Sequence, residues 1–217
     1  MKDTIKQIET AKIIAIIRNV QKEKLLKVCS ALYAGGIRVV ECTYDASERV
    51  PPEETASSIK LLVDEFGDRM LVGAGTVLTK QQVELTKKAG GKFIISPDIN
   101  EEVIRSTKQE GLISIPGALT PTEITLALRC GADFVKLFPV NACGGIDYIK
   151  AISAPLSHVK FLAVGGVNVN NIRSYITAGC CGVGIGNGIV NLKMIENDDY
   201  FGITNLTKEF FANIEEG

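Results

Sequence analysis

The chain has 217 residues, 46% of them hydrophobic, with 24 Lys and Arg against 25 Asp and Glu for a formal charge of −1. That length and apolar content can bury a sizeable core within one domain, residues 1–217. The balanced charge leaves no basic face for nucleic acid or an anionic membrane, and no apolar stretch nears the roughly 20 residues that span a bilayer.

Met1-Lys2-Asp3-Thr4-Ile5 opens a polar, helix-like segment, expected as a short N-terminal helix. It is unlike a signal-peptide core, so a cytoplasmic location is expected. From there the chain repeats one unit: an apolar strand, a short loop, an amphipathic helix, and a glycine that stops it. The strand-like runs are Lys12–Ile17, Arg38–Cys42, Met70–Gly73, Lys92–Ile95, Leu112–Ile115, Phe134–Leu137, Lys160–Ala163 and Gly182–Ile185. Helical patterns fill Lys22–Leu32, Glu53–Phe66, Lys80–Ala89, Glu101–Glu110 and Thr122–Cys130. Thr79, Asn100 and Thr120 are candidate N-caps, and Gly35, Gly67, Gly90, Gly111, Gly131 and Gly179 candidate C-caps.

Strict alternation of strands and helices predicts a parallel sheet, and eight such units close into an α/β architecture, the (β/α)₈ TIM barrel. A doubly wound open sheet is the other arrangement the pattern allows. No GxGxxG follows the first strand, which argues against dinucleotide binding.

The six cysteines show no CxxC pair, so they read as reduced and mostly buried. With His158 the single histidine, in a polar loop segment, no zinc site is expected. Neither a metal nor any other cofactor is expected.

Lys136 stands out because Asp133-Phe134-Val135-Lys136-Leu137-Phe138-Pro139 otherwise reads as a strand covered on both faces. Burial disfavours the ammonium form, so its pKa should fall from about 10.4 toward neutrality. A neutral amine condenses with carbonyls to a Schiff base. Alternation places Val39, Glu41 and Thr43 on one strand face, and Phe134, Lys136 and Phe138 on one face of another. If both faces point inward, a carboxylate meets the amine and can serve as its general acid/base. A structural core ion pair is the competing reading, although buried pairs stabilise poorly against apolar packing.

Chemistry in such barrels gathers at the C-terminal strand ends. Those positions hold Arg18, Glu41, Thr43, Thr76, Ser96, Pro97, Pro116, Lys136, Phe138, Gly165, Gly166, Gly186 and Asn187. The glycine loops after strands seven and eight present backbone N–H groups where this fold commonly holds phosphate; tight turns alone also call for glycine. Gly73-Ala74-Gly75-Thr76 fits either close approach of a ligand to the backbone or a left-handed turn. Arg18 fits either a bidentate anion partner or a rim arginine.

Val40-Glu41-Cys42-Thr43, Gly73-Ala74-Gly75-Thr76-Val77-Leu78, Ile95-Ser96-Pro97, Ile115-Pro116-Gly117, Lys136-Leu137-Phe138-Pro139, Gly144-Gly145 and Val164-Gly165-Gly166-Val167 together resemble the KDPG/KHG aldolase family. The likeness runs in order from about Lys12 to Val190. It implies a class I aldolase that splits a 2-keto-3-deoxy-6-phospho sugar acid, or 4-hydroxy-2-oxoglutarate, into pyruvate and an aldehyde. Lys136 would form the Schiff base and Glu41 would act as acid/base through water. Thr76, Pro97 and Phe138 would line the pyruvate pocket, and Gly165, Gly166 and Asn187 the phosphate loops. A homotrimer without metal is implied as well.

Three positions depart from the family pattern. Asp45 stands where many members carry a carboxylate-binding arginine, a role the resemblance moves to Arg18. Val164 replaces a threonine, as in the related 2-keto-3-deoxy-6-phosphogalactonate aldolases. Asn187 replaces a serine of the phosphate loop, and its amide can still donate. A sugar-phosphate isomerase or epimerase using Glu41 and Lys136 without covalent bonding, and a non-catalytic keto-acid-binding protein, are the other readings of the same residues.

Overall fold

The computed structural model describes residues 1–215. Helix α1 (Lys2–Ala11) leads into strand β1 (Ile13–Ile17), with Lys12 turning the chain at φ 61°. There follow α2 (Lys22–Ala34), β2 (Val39–Thr43), α3 (Pro52–Phe66), β3 (Leu71–Gly75), α4 (Lys80–Lys88), β4 (Phe93–Ile95) and α5 (Glu101–Gln109). The fifth strand is split by Pro116 into β5 (Ile113–Ile115) and β6 (Gly117–Ala118). Then come α6 (Pro121–Cys130), β7 (Val135–Leu137), α7 (Gly145–Ser153), β8 (Phe161–Val164), α8 (Ile172–Thr177), β9 (Gly182–Ile185), α9 (Leu192–Glu196) and α10 (Tyr200–Glu215).

The sheet order is β5-β4-β3-β2-β1-β9-β8-β7-β6, parallel at every pairing. Its two ends are consecutive pieces of one strand, so the sheet closes on itself as a (β/α)₈ barrel. Proline cannot donate to a ladder, and at Pro116 the fifth strand passes from β4 to β7.

Two apolar layers hold the barrel. Inside, Ile14, Val39, Phe93, Ile113, Phe134 and Leu162 interdigitate, with Ile8 of α1 closing the floor. Outside, Ala15, Val40, Val72, Val135, Ala163 and Val183 face the helices. Every strand is thus buried on both faces, which is why the strands read as continuous apolar runs. Thr79 and Thr120 make full capping boxes with Gln82 and Glu123, and the Asn100 side chain accepts from the N–H groups of Glu102 and Val103.

Among the expected C-caps, Gly131 is left-handed at φ 106°, but Gly35 and Gly67 keep right-handed helical angles. Gly36 makes the reversal after α2 at φ 114°. Gly35 is small for another reason: a Cβ there would lie 2.5 Å from Cβ of Thr207 on α10. Among the described residues no helix is long and apolar enough to cross a membrane.

Candidate active site

Lys136 is the middle residue of β7, fixed by its N–H bond to the Pro116 carbonyl at 2.9 Å and by pairing with Gly117 and Leu162 on either side. Glu41 occupies the matching inward position of β2, paired with Ile16 and Gly73. Both side chains enter one narrow cavity in the upper half of the barrel, walled by Ile16, Leu162, Val164 and Gly184. The two are 7% and 2% exposed, so water screens neither charge well. The inward phase read from alternation is the one observed.

Burial raises the Glu41 carboxyl from 4.5 to about 7, against opposing pulls from the Lys136 and Arg18 charges. Burial likewise lowers the Lys136 amine from its usual value; Glu41 resists that fall and Arg18 adds to it. The Lys136 Nζ also lies 4.4 Å from the centroid of the Phe138 ring, whose π face favours the cation. An acid pushed up and a base pushed down in one cavity is the pattern of groups that exchange protons near neutral pH. Oε2 of Glu41 has no hydrogen-bond partner among the described residues, a costly state for a buried oxygen that a ligand or water can relieve.

Around the mouth, Arg18 Nη2 donates to Thr76 Oγ1 at 3.0 Å, linking the ends of β1 and β3. Thr43 Oγ1 donates to the Ile17 carbonyl at 3.3 Å, and Thr76 itself takes the left-handed conformation at φ 56°. Pro97 abuts the β6 side of the rim, where a Cβ on Gly117 would come within 2.3 Å of the Pro97 oxygen. Phe138 is one-third exposed beside Lys136 and begins a cis peptide with Pro139.

Gly165 and Gly166 are both left-handed, at φ 105° and 72°, and Asn141 lies against them. The turn after β9 starts alongside, since Val164 pairs with Gly184. There Ile189 and Val190 donate to the Gly186 carbonyl, while Asn187 is exposed. These two loops share the mouth on neighbouring strands.

Asp45 folds its own loop. Its Oδ1 accepts from the Ser47 hydroxyl and N–H, and its Oδ2 accepts from the Arg49 N–H; the Ser47 bonds, with the Arg49 charge, hold the carboxyl below its usual value. Among the described residues no group of three His, Cys, Asp or Glu is arranged to hold a metal ion. His158 is an exposed turn residue.

Sequence reasoning did not single out Ile16, Leu162 and Gly184 as cavity walls. The inward phase of β2 and β7, carried across the pairing register, identifies them. It also missed Asn141, whose approach to the Gly165–Gly166 turn is a tertiary contact between loops.

The family model described as KDPG and KHG aldolase matches residues 4–206. A 2-dehydro-3-deoxy-6-phosphogalactonate aldolase of Escherichia coli K12 is 38% identical over 178 residues, covering 82% of this chain and 83% of that protein. A 2-dehydro-3-deoxy-phosphogluconate aldolase of Dickeya dadantii is 33% identical over 215 residues, covering 97% and 96%. The crystal structure of KDPG aldolase from Legionella pneumophila, with pyruvate captured as a covalent carbinolamine, superposes with a TM-score of 0.85 at 34% identity, covering 94% of this chain and 96% of that one. With a lysine and a carboxylate buried together in the barrel and a match over residues 4–206, the chain belongs to the KDPG/KHG aldolase family, and it is a carbon–carbon lyase.

Proposed function

We propose that the protein is a class I aldolase in which Lys136 is the Schiff-base residue and Glu41 the general acid/base. The observation that carries this reading is the shared cavity of Glu41 and Lys136, with their protonation equilibria displaced toward each other. The neutral Lys136 amine attacks the C2 carbonyl of a 4-hydroxy-2-keto acid, and loss of water from the carbinolamine gives the iminium. Glu41, acting through water, takes the proton of the C4 hydroxyl. The C3–C4 bond then breaks, its electron pair passing into the iminium as an enamine while the aldehyde departs. Proton return to C3 and hydrolysis release pyruvate and regenerate the amine.

The substrate class is a 2-keto-3-deoxy-6-phospho sugar acid, giving glyceraldehyde 3-phosphate, or 4-hydroxy-2-oxoglutarate, giving glyoxylate. Among the sugar acids the galactonate epimer is favoured. Val164 turns an isopropyl group, with no hydrogen-bonding atom, into the cavity beside Lys136. The E. coli relative at 38% identity is named for that epimer.

Arg18 is assigned to the substrate carboxylate, being coupled electrostatically to both catalytic groups. Thr43, Thr76, Pro97 and Phe138 surround the pyruvate portion. Gly165, Gly166, Gly186 and Asn187 receive the far end, where backbone N–H groups and an amide suit a phosphate. A cytoplasmic homotrimer completes the reading, with light scattering expected to give three times the 23.3 kDa chain mass.

Pyruvate with sodium borohydride should leave a pyruvate-sized adduct on the peptide carrying Lys136, and a Lys136→Arg variant should leave none. An untouched Lys136, under conditions that trap a known class I aldolase, defeats the mechanism. Coupling pyruvate release to lactate dehydrogenase across phosphogluconate, phosphogalactonate, unphosphorylated and glutarate-type keto acids identifies the substrate.

A further inference from the structure

The end of β3 holds a glycine that its own backbone does not require. Gly75 pairs with Thr43 as an ordinary strand residue, and it is not among the residues with left-handed angles. Its N–H and carbonyl belong to regular strand geometry, the carbonyl accepting from the Tyr44 N–H at 2.9 Å. Conformation alone would admit any β-former here. Space does not: a Cβ at position 75 would lie 2.3 Å from Oε1 of Glu41, 2.5 Å from its Cδ and 3.0 Å from its Oε2. The carboxylate therefore occupies the volume that a side chain at position 75 would need.

Gly73, the preceding inward residue of β3, makes a different contact. A Cβ there would strike the Phe93 ring at 2.5 Å, so that glycine serves packing lower in the barrel. Glu41 is 2% exposed, so a carboxylate displaced from Gly75 would move within the cavity it shares with Lys136, away from its present place. With one carboxylate face against Gly75, Oε2 stays without a protein partner in the cavity it shares with Lys136. The charged groups coupled to this carboxylate are Lys136 and Arg18.

We infer that Gly75 is a positioning residue for the acid/base carboxylate: the side chain it lacks is the volume in which Glu41 is held at working distance from the Lys136 adduct. The inference rests on the Schiff-base reading above. A displacement of about 1 Å of a reacting group costs on the order of 100-fold in rate, and an added methyl at 2.3 Å forces at least that.

Exchange of the pyruvate methyl protons with deuterated solvent, followed by NMR, tests this because it needs Lys136 and a base but no aldehyde. Gly75→Ala should slow exchange about 100-fold while borohydride still traps pyruvate on Lys136. In a Glu41→Asp background, where the carboxylate is one methylene shorter, adding Gly75→Ala should cost less than about threefold, the non-additivity expected of neighbouring groups and not of distant, independent ones. A single variant within threefold of the parent overturns the inference, and so does an equal loss in both backgrounds. If Gly75→Ala fails to fold, refolding on addition of Glu41→Asp supports the steric relation, and failure of both variants overturns it. A parent enzyme that neither exchanges nor traps pyruvate defeats the Schiff-base reading instead.

Discussion

Glu41 carries a thermodynamic penalty that can be read in the stability curve. Its carboxyl has a folded-state pKa near 7 against 4.5 unfolded, chiefly through burial. Between those values the native state binds more protons than the unfolded state, so the Glu41 contribution to stability falls as pH rises from about 4.5 to about 7 and is flat beyond. The full swing is about 3 kcal/mol at roughly 1.4 kcal/mol per unit. Glu41→Gln removes the ionisation, and its denaturant midpoint should rise relative to the parent across that window; a constant difference between pH 5 and pH 8 would contradict the assignment. The same variant should lose 10²- to 10⁴-fold in pyruvate proton exchange, about what a general acid/base contributes, together with the rate inflection near pH 7.

At this scale the sequence was most informative where a residue broke its context. Lys136 and Glu41 were legible because a charge in an apolar strand is conspicuous and because alternation fixes which face it takes. Gly73-Ala74-Gly75-Thr76 was read as close approach of a ligand or a left-handed turn; the left-handed residue is Thr76, at φ 56°, while the volumes a Cβ would take at Gly73 and Gly75 hold Phe93 and Glu41. Nothing local distinguishes a glycine kept for conformation from one kept for a neighbour on another strand.

The elements followed their own chemistry closely. Thr79, Asn100 and Thr120 cap the helices they were expected to start, since a side-chain oxygen for orphan N–H groups is a local requirement. Thr120→Ala should lower stability by about 1 kcal/mol, a melting-point drop of about 2–4 °C for a chain of this size. Trapping of pyruvate on Lys136 should be unchanged, which separates the cap from the chemistry. Helix ends were less legible. Gly35 was expected to reverse α2, but Gly36 does so, because α10 returns across more than 170 residues to press on Gly35. The short α9 and the long α10 have no glycine stop between them, and their bounds depend on packing around the barrel.

For the whole molecule, closure was implied by eight alternating units, but its seam was not. Pro116 reads as a strand end, and the two residues beyond it complete the ring by pairing with β7. The cysteines report on the same packing. Cys29, Cys42, Cys130 and Cys180 are buried, Cys181 is partly covered and Cys143 is exposed. Burial raises the thiols of Cys29, Cys42, Cys130, Cys180 and Cys181, keeping them protonated and slow to react. An aromatic disulfide reagent should therefore modify one thiol quickly in the native protein and all six after denaturation; several fast thiols would mean a looser helical layer than described.

Helix α1 seats Ile8 against the inward side chains at the floor of the barrel. With the floor filled, traffic passes by the mouth at the strand ends and is ordered by depth. In the proposed reaction pyruvate is tethered to Lys136, and the aldehyde occupies the space between that tether and the loops of the rim. The aldehyde must leave before the enamine can be quenched and hydrolysed, and pyruvate follows as the second product. Initial-rate studies should accordingly find pyruvate competitive against the keto acid and the aldehyde noncompetitive, a queue imposed by a plugged floor.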